Sequence, residues 1–127
     1  MANELILIVE DNEKNLKLVR DVLQYRGYQT IEAASGEEGV RLAKARIPDL
    51  VLMDIQLPGM DGIAALGELR ADVTTRAIPV IAVTASAMTH DRKKIMAAGF
   101  DGYQSKPIKV KEFIDAVREM LDQRAAK

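Results

Sequence analysis

Val51-Leu-Met-Asp-Ile-Gln-Leu-Pro-Gly-Met-Asp-Gly62 reads as an apolar strand that ends on a carboxylate and runs directly into a turn. Leu50 to Met53 has the length and continuity of a strand buried on both faces. Asp54 closes it. Pro58, Gly59 and Gly62 then mark a loop, which puts the Asp54 carboxylate where a strand leaves the sheet and its side chain can meet solvent or a ligand. Leu5-Ile-Leu-Ile-Val9 repeats the pattern and ends on Glu10 and Asp11. If the two strands are parallel neighbours, their C-terminal ends coincide and these carboxylates converge on one spot.

Outward from this stretch the chain alternates between two periodicities. Leu16, Val19, Val22 and Leu23 recur at helical spacing between Glu13 and Arg26, with Asn12 placed as the cap and Gly27 as the stop. Tyr28 to Ala33 reads as a second strand. Ser35-Gly-Glu-Glu38 has capping-box spacing and opens a helix expected to turn Val40, Ala43 and Ile47 inward before Pro48 closes it. The third strand is Asp49 to Asp54. The helix after the loop carries Ile63, Leu66 and Leu69 on one face and ends somewhere near Asp72 to Arg76. Pro79 suits the start of a fourth strand, Val80-Ile-Ala-Val83, which ends on Thr84. Thr89 or Asp91 can begin the next helix, which uses Ile95 and Met96 and stops at Gly99. A short strand from Gly102 to Ser105 runs into Lys106-Pro107. Val110, Phe113, Ile114, Val117 and Leu121 then follow the helical stripe, and Asp122 to Lys127 reads as a polar tail. Strands alternating with helices predict an α/β domain with a five-stranded parallel, doubly wound sheet and five helices, because each crossover is right-handed and returns the chain parallel.

Composition narrows the function. A chain of 127 residues with 48% apolar and 29% charged residues has the profile of one globular domain, expected here to span residues 1–127. The absence of cysteine excludes disulfides, thiolate catalysis and cysteine metal sites. Eighteen Lys and Arg against nineteen Asp and Glu leave a formal net charge of -1, no field that recruits nucleic acid nonspecifically. No apolar run approaches the ~18 residues that span a bilayer. Met1-Ala-Asn-Glu4 lacks the basic start of a signal peptide. A cytoplasmic protein without membrane or direct nucleic-acid partners is expected.

Glu10, Asp11, Asp54, Thr84 and Lys106 all fall at the carboxyl ends of strands, the edge where ligands bind in such folds. Carboxylates crowded together repel one another unless a hard cation sits among them, and Mg²⁺, which prefers oxygen ligands and retains water or phosphate in its shell, suits the set. A lysine and a hydroxyl facing the same spot can hold phosphate oxygens. The pattern predicts a phosphoryl group on or near Asp54. Other chemistries fit less well. Gly62 to Gly67 has P-loop glycine spacing, but Glu68-Leu69 replaces the required Lys-Ser/Thr. His90, the sole histidine, builds no histidine metal cluster, and a triad with Ser86 or Ser105 has little to recommend it. Arg92-Lys-Lys94 reads as a solvated helix face.

With Glu10-Asp11 after strand one, Asp54 within Met-Asp-Ile-Gln-Leu-Pro-Gly-Met-Asp-Gly, Thr84-Ala85 after strand four and Lys106-Pro107 after strand five, the chain resembles the receiver domain of bacterial two-component response regulators over nearly its whole length. The resemblance implies a flavodoxin-like fold with strand order 2-1-3-4-5. It implies that Asp54 accepts a phosphoryl group from a phosphohistidine, that Glu10, Asp11, Asp54 and the backbone carbonyl of Gln56 hold Mg²⁺, and that Lys106 and Thr84 contact the phosphoryl group. It further implies that Tyr103 follows Thr84 as a switch, and it raises the chance of a cis Lys106-Pro107 bond above the generic ~5%. Partners implied are a sensor histidine kinase or a histidine phosphotransferase and a downstream protein target; helix one, with Asn15 and Leu18 off the inward stripe, is a candidate docking face for the donor. Val9-Glu-Asp-Asn12, Ile55-Gln-Leu-Pro58 and Thr84-Ala-Ser-Ala-Met88 are most similar to single-domain cell-cycle regulators and to receivers of hybrid kinases. A signalling module rather than an enzyme, with slow self-dephosphorylation and no DNA-binding output domain, is therefore expected. An Asp-nucleophile phosphatase would carry Asp-x-Asp, and Gln56 stands at the second position. A receiver that is never phosphorylated is the other alternative. The departure from the family pattern is Glu10, where many receivers carry aspartate.

Overall fold

The sheet sorts its apolar residues by parity. In the computed structural model, which describes residues 3–85 and 89–125, the elements run β1 Leu5–Val9, α1 Glu13–Tyr25, β2 Gln29–Ala33, α2 Gly36–Arg46, β3 Leu50–Asp54, α3 Gly62–Ala71, β4 Val80–Thr84, α4 Thr89–Ala97, β5 Gly102–Ser105 and α5 Val110–Ala125. The strands form one parallel sheet in the order β2-β1-β3-β4-β5. Ile6, Ile8, Leu50, Leu52, Ile81 and Val83 face α1 and α5, where they meet Val19, Leu23, Phe113, Val117 and Leu121. Leu7, Val9, Val51, Met53, Val80 and Ala82 face the other way, against Val40 and Ala43 of α2, Leu66 and Leu69 of α3, and Ile95 of α4. Burying each large side chain contributes about 1.5–3 kcal/mol, so the doubly covered central strands are the anchor of the domain. Among the described residues no helix is long and apolar enough to cross a membrane.

The helix starts follow the expected chemistry. Asn12 accepts from the Asn15 N–H, and Asp61 caps α3 by accepting from the Ala64 N–H at 2.8 Å. Ser35 accepts from the Glu38 N–H at 3.1 Å, while Glu38 reaches back to the N–H of Ala34, one residue before its usual capping-box partner. The choice between Thr89 and Asp91 as a cap, together with Ser86 and the His90 side chain, lies outside what is described.

Four expectations about the helices are corrected. Ile47 is not an inward residue of α2: it is the left-handed C-cap, at φ 45, and is 42% exposed. Met96 is 40% exposed, so Ile95 alone buries α4 among the residues named for it. Val110 begins the α5 stripe but is 44% exposed, because it lies at the first turn, ahead of the part of α5 that crosses the sheet. Asp122 to Lys127 is not simply a tail. The helix continues to Ala125, held by an Arg118–Asp122 pair one turn apart and by Arg124 bonded to Asp49 at 2.6 Å.

The vague end of α3 is resolved by Arg70. α3 stops at Ala71, and Asp72 folds the next turn by accepting from the N–H and hydroxyl of Thr74. Arg70 donates to the carbonyl oxygens of Arg76, Ile78 and Gly99 and to Asp101 at 2.7 Å, and Asp101 also accepts from the Val80 N–H at 2.8 Å. One guanidinium thereby fixes where β4 and β5 begin. Replacing Arg70 by Met is expected to lower the unfolding free energy by about 1–3 kcal/mol in urea titrations, since several backbone acceptors lose a charged donor. Lys17→Met, which breaks only the exposed Lys17–Asp21 pair, is expected to change it by less than about 0.5 kcal/mol. Equal effects would contradict this assignment.

Candidate functional site

Strand register brings the polar strand ends together. Val9 of β1 pairs with Met53 of β3, so Glu10 and Asp54 are the next residues on adjacent strands. Asp54 pairs with Val83, which places Thr84 one step beyond it on β4, and the Lys106 N–H donates to the Thr84 carbonyl at 2.8 Å. Glu10, Asp54 and Thr84 are buried at 5%, 4% and 1% exposure, while Asp11 is exposed. Each of the carboxylates Glu10, Asp11 and Asp54 offers an oxygen within 4.8 Å of the others. This is the convergence the strand pattern implied.

Lys106 lies across it. Its Nζ is 2.7 Å from Glu10 Oε1 and 3.0 Å from Asp54 Oδ2. The remaining oxygens are also engaged: Glu10 Oε2 accepts from the Asn12 N–H at 3.2 Å, and Asp54 Oδ1 accepts from the Gln56 N–H at 3.0 Å. Burial, followed by a hydrogen bond shared with Asp54, pushes the Glu10 carboxyl up to about 7, against the opposing pull of Lys106 and the Asn12 amide. Burial works against the charge on Lys106 as well, but its bonds to Glu10 and Asp54 outweigh that and hold its pKa above the ordinary lysine value. The Lys106–Pro107 bond is cis.

The loop after β3 is closed by contacts that only glycine permits. The Gly62 N–H donates to the Ile55 carbonyl at 3.1 Å, and a Cβ on Gly62 would lie 2.4 Å from the Asp54 carbonyl oxygen. A Cβ on Gly36, at the start of α2, would lie 2.5 Å from the Met60 carbonyl oxygen. The loop that follows Asp54 is thus clasped between its own strand and α2.

Tyr103 is carried by the strand beside β4. It lies on β5 opposite Ala82, half-buried against the α2–α4 side of the core, with the Arg92 guanidinium 5.4 Å from its ring centroid. The sequence pattern makes Arg92 part of a solvated run, and no spacing rule links it to Tyr103, since the contact crosses from α4 to β5. Nor does spacing along the chain announce the bond between Glu10 and Lys106. The signal in the sequence is the extra methylene of Glu10, at a position where many receivers carry aspartate.

The family profile for the response regulator receiver domain matches residues 6–118. The chain belongs to the response regulator receiver family. Among curated receivers, the polar-differentiation response regulator DivK of Brucella ovis is 48% identical over 116 residues, covering 91% of this chain and 94% of the relative. The DivK of Brucella anthropi is 47% identical with the same coverage. Among solved structures, the receiver domain of a Pseudomonas aeruginosa sensor histidine kinase, with a magnesium ion coordinated in its active-site cleft, superposes with TM-score 0.88 at 36% identity, over 94% of this chain and 98% of that one. A CheY-like receiver from Methanospirillum hungatei gives TM-score 0.88 at 28% identity, over 97% of both chains. The chain is a DivK-like receiver of two-component signalling, and the expected strand order and fold are those observed.

The raised pKa of Glu10 has a defined sign. Its folded-state value, about 7, lies above the ordinary 4.5, so protonation of Glu10 contributes stability that is fully present below about 4.5 and lost as pH rises through 7. In a metal-free buffer the melting temperature is expected to fall across that window, and Glu10→Gln is expected to flatten the slope. An unchanged slope in the variant would assign the pH dependence elsewhere.

Proposed function

We propose that this receiver takes a phosphoryl group from a phosphohistidine onto Asp54 and that the modification changes its protein-binding surface. The observation that carries the reading is the buried Asp54 carboxylate meeting Lys106 at 3.0 Å beside two further carboxylates. An oxygen-only donor set of this kind fits a hard divalent cation, and the Mg²⁺-bound relative has the same fold. Glu10, Asp11, Asp54 and the backbone carbonyl of Gln56 are the groups assigned to hold it. When bound, Mg²⁺ supplies neutralising charge for the approach of an anionic phosphoryl group.

The chain's own groups account for the rest. An Asp54 carboxylate oxygen attacks phosphorus, a P–O bond forms as the P–N bond to the donor imidazole breaks, and the imidazole keeps the electron pair and takes up a proton. Lys106 is already beside Asp54 and can transfer its hydrogen bond to a phosphoryl oxygen, while Thr84 follows on the neighbouring strand. Movement of Thr84 toward that group would alter the space available to Tyr103 and bias two packings of the α4–β5 region. Moving such an equilibrium from 1:99 to 99:1 requires roughly 5.5 kcal/mol, within reach of several charge-assisted bonds. The partners assigned are a histidine kinase or phosphotransferase and a protein target, and the likeness to polar-differentiation regulators points to cell-cycle control.

Intact mass after incubation with acetyl phosphate tests the acceptor. A Mg²⁺-dependent gain of one phosphoryl group that Asp54→Asn abolishes is expected; no gain in folded protein, or a gain that persists in the variant, would overturn it. Leu18, which is 40% exposed on α1, is assigned to the donor-docking face. Leu18→Ala is expected to slow transfer from a phosphohistidine protein several-fold while leaving acetyl phosphate labelling unchanged, and equal loss in both assays would remove Leu18 from that face.

A further inference from the structure

Glu10 has two incompatible obligations. As a ligand it must turn an oxygen toward a divalent cation, yet here Oε1 is bonded to the Lys106 ammonium at 2.7 Å and Oε2 to the Asn12 N–H at 3.2 Å. Lys106 is itself held at the other end by Asp54 at 3.0 Å. Both carboxylates are nearly inaccessible, and the Lys106 side chain is only 16% exposed, so little water screens these charges. A dication and an ammonium competing for the same oxygens repel each other as well. Aspartate at position 10 would draw the carboxylate back by about 1.5 Å, one carbon–carbon bond, and leave the lysine beyond hydrogen-bonding distance.

We propose that Glu10 is an internal competitor of the cation: it anchors Lys106 across the acidic cluster and sets the Mg²⁺ concentration at which this receiver becomes competent. The inference rests on the cation reading of the cluster given above. Its particular content is that the length of the Glu10 side chain lowers Mg²⁺ affinity, and that it does so through Lys106. Glu10 acts here as a positioning residue for the lysine.

A double-mutant cycle read by calorimetric Mg²⁺ titration separates this role from simple coordination. Glu10→Asp is expected to tighten Mg²⁺ binding about three- to tenfold, the coupling typical of adjacent charged groups, and to change it less than twofold when Lys106 is already Met. Weaker binding in Glu10→Asp, or the same change in both backgrounds, would overturn the competition. A second measurement needs no lysine variant. In metal-free buffer, acylation of the Lys106 amine, followed by peptide mass spectrometry, is expected to be several-fold faster in Glu10→Asp than in the parent protein; equal rates would likewise overturn the brace. If none of the proteins takes up Mg²⁺, the cation reading itself fails. If the parent binds Mg²⁺ but the cycle is additive, that reading stands and only the competition falls.

Discussion

The bond between Lys106 and two buried carboxylates is the constraint on which the rest of the structure depends. Glu10 and Asp54 end adjacent strands whose preceding residues are fully apolar, so the sheet delivers both charges to one edge whatever their mutual repulsion. Removing a carboxylate from water without a partner costs several kcal/mol, and two side by side cost more. One lysine offsets this only in part, because Asp11 adds a further carboxylate to the same cluster. The raised pKa of Glu10 is the visible remainder of that imbalance. A site left short of positive charge is one that attracts a cation, and this follows from the strand ends before any family is considered.

The scaffold supplies precision that the charges lack. Parallel strands set the spacing of Glu10, Asp54 and Thr84, and the two apolar layers prevent a register slip, since a one-residue shift would turn every core residue to the wrong face. Gly62 and Gly36 let the loop after Asp54 close on its own strand and on α2, in space that any Cβ would occupy. At the far edge, Arg70 and Asp101 fix the starts of β4 and β5, and so govern how far Thr84 and Ser105 extend toward the cluster.

Much of this was legible in the sequence, for identifiable reasons. Continuous apolar runs ending on Glu10, Asp54 and Thr84 disclosed the parallel sheet and the edge that carries polar groups, because both signals are local and repeat. The caps at Asn12 and Ser35 were equally local. The failures came where a residue's fate depends on something distant. Ile47 fitted the helical stripe, but the chain turns left-handed there to leave α2. Asp122 and Arg124 looked like tail residues because their value lies in pairing with Arg118 and Asp49. The Arg92–Tyr103 contact joins two elements, and nothing in either segment announces the other.

The same distinction bears on how a chemical event at Asp54 is transmitted. Under the proposed reading, a new dianion at Asp54 is met by the donors already bonded to that carboxylate, the Gln56 N–H and the Lys106 ammonium, together with the cation the acidic cluster is assigned to hold. Lys106 cannot satisfy a phosphoryl group, Glu10 and Asp54 equally well at once, and the hydroxyl of buried Thr84 is the next donor along the edge. Movement of Thr84 under that reading is felt beside β5, where Tyr103 packs against the core and its ring centroid lies 5.4 Å from the Arg92 guanidinium. Under the proposed reading, the direction of the response is set by where donors are scarce: the central strands are packed too closely to yield, and the α4–β5 edge, with Tyr103 only half-buried, is where a second arrangement costs least.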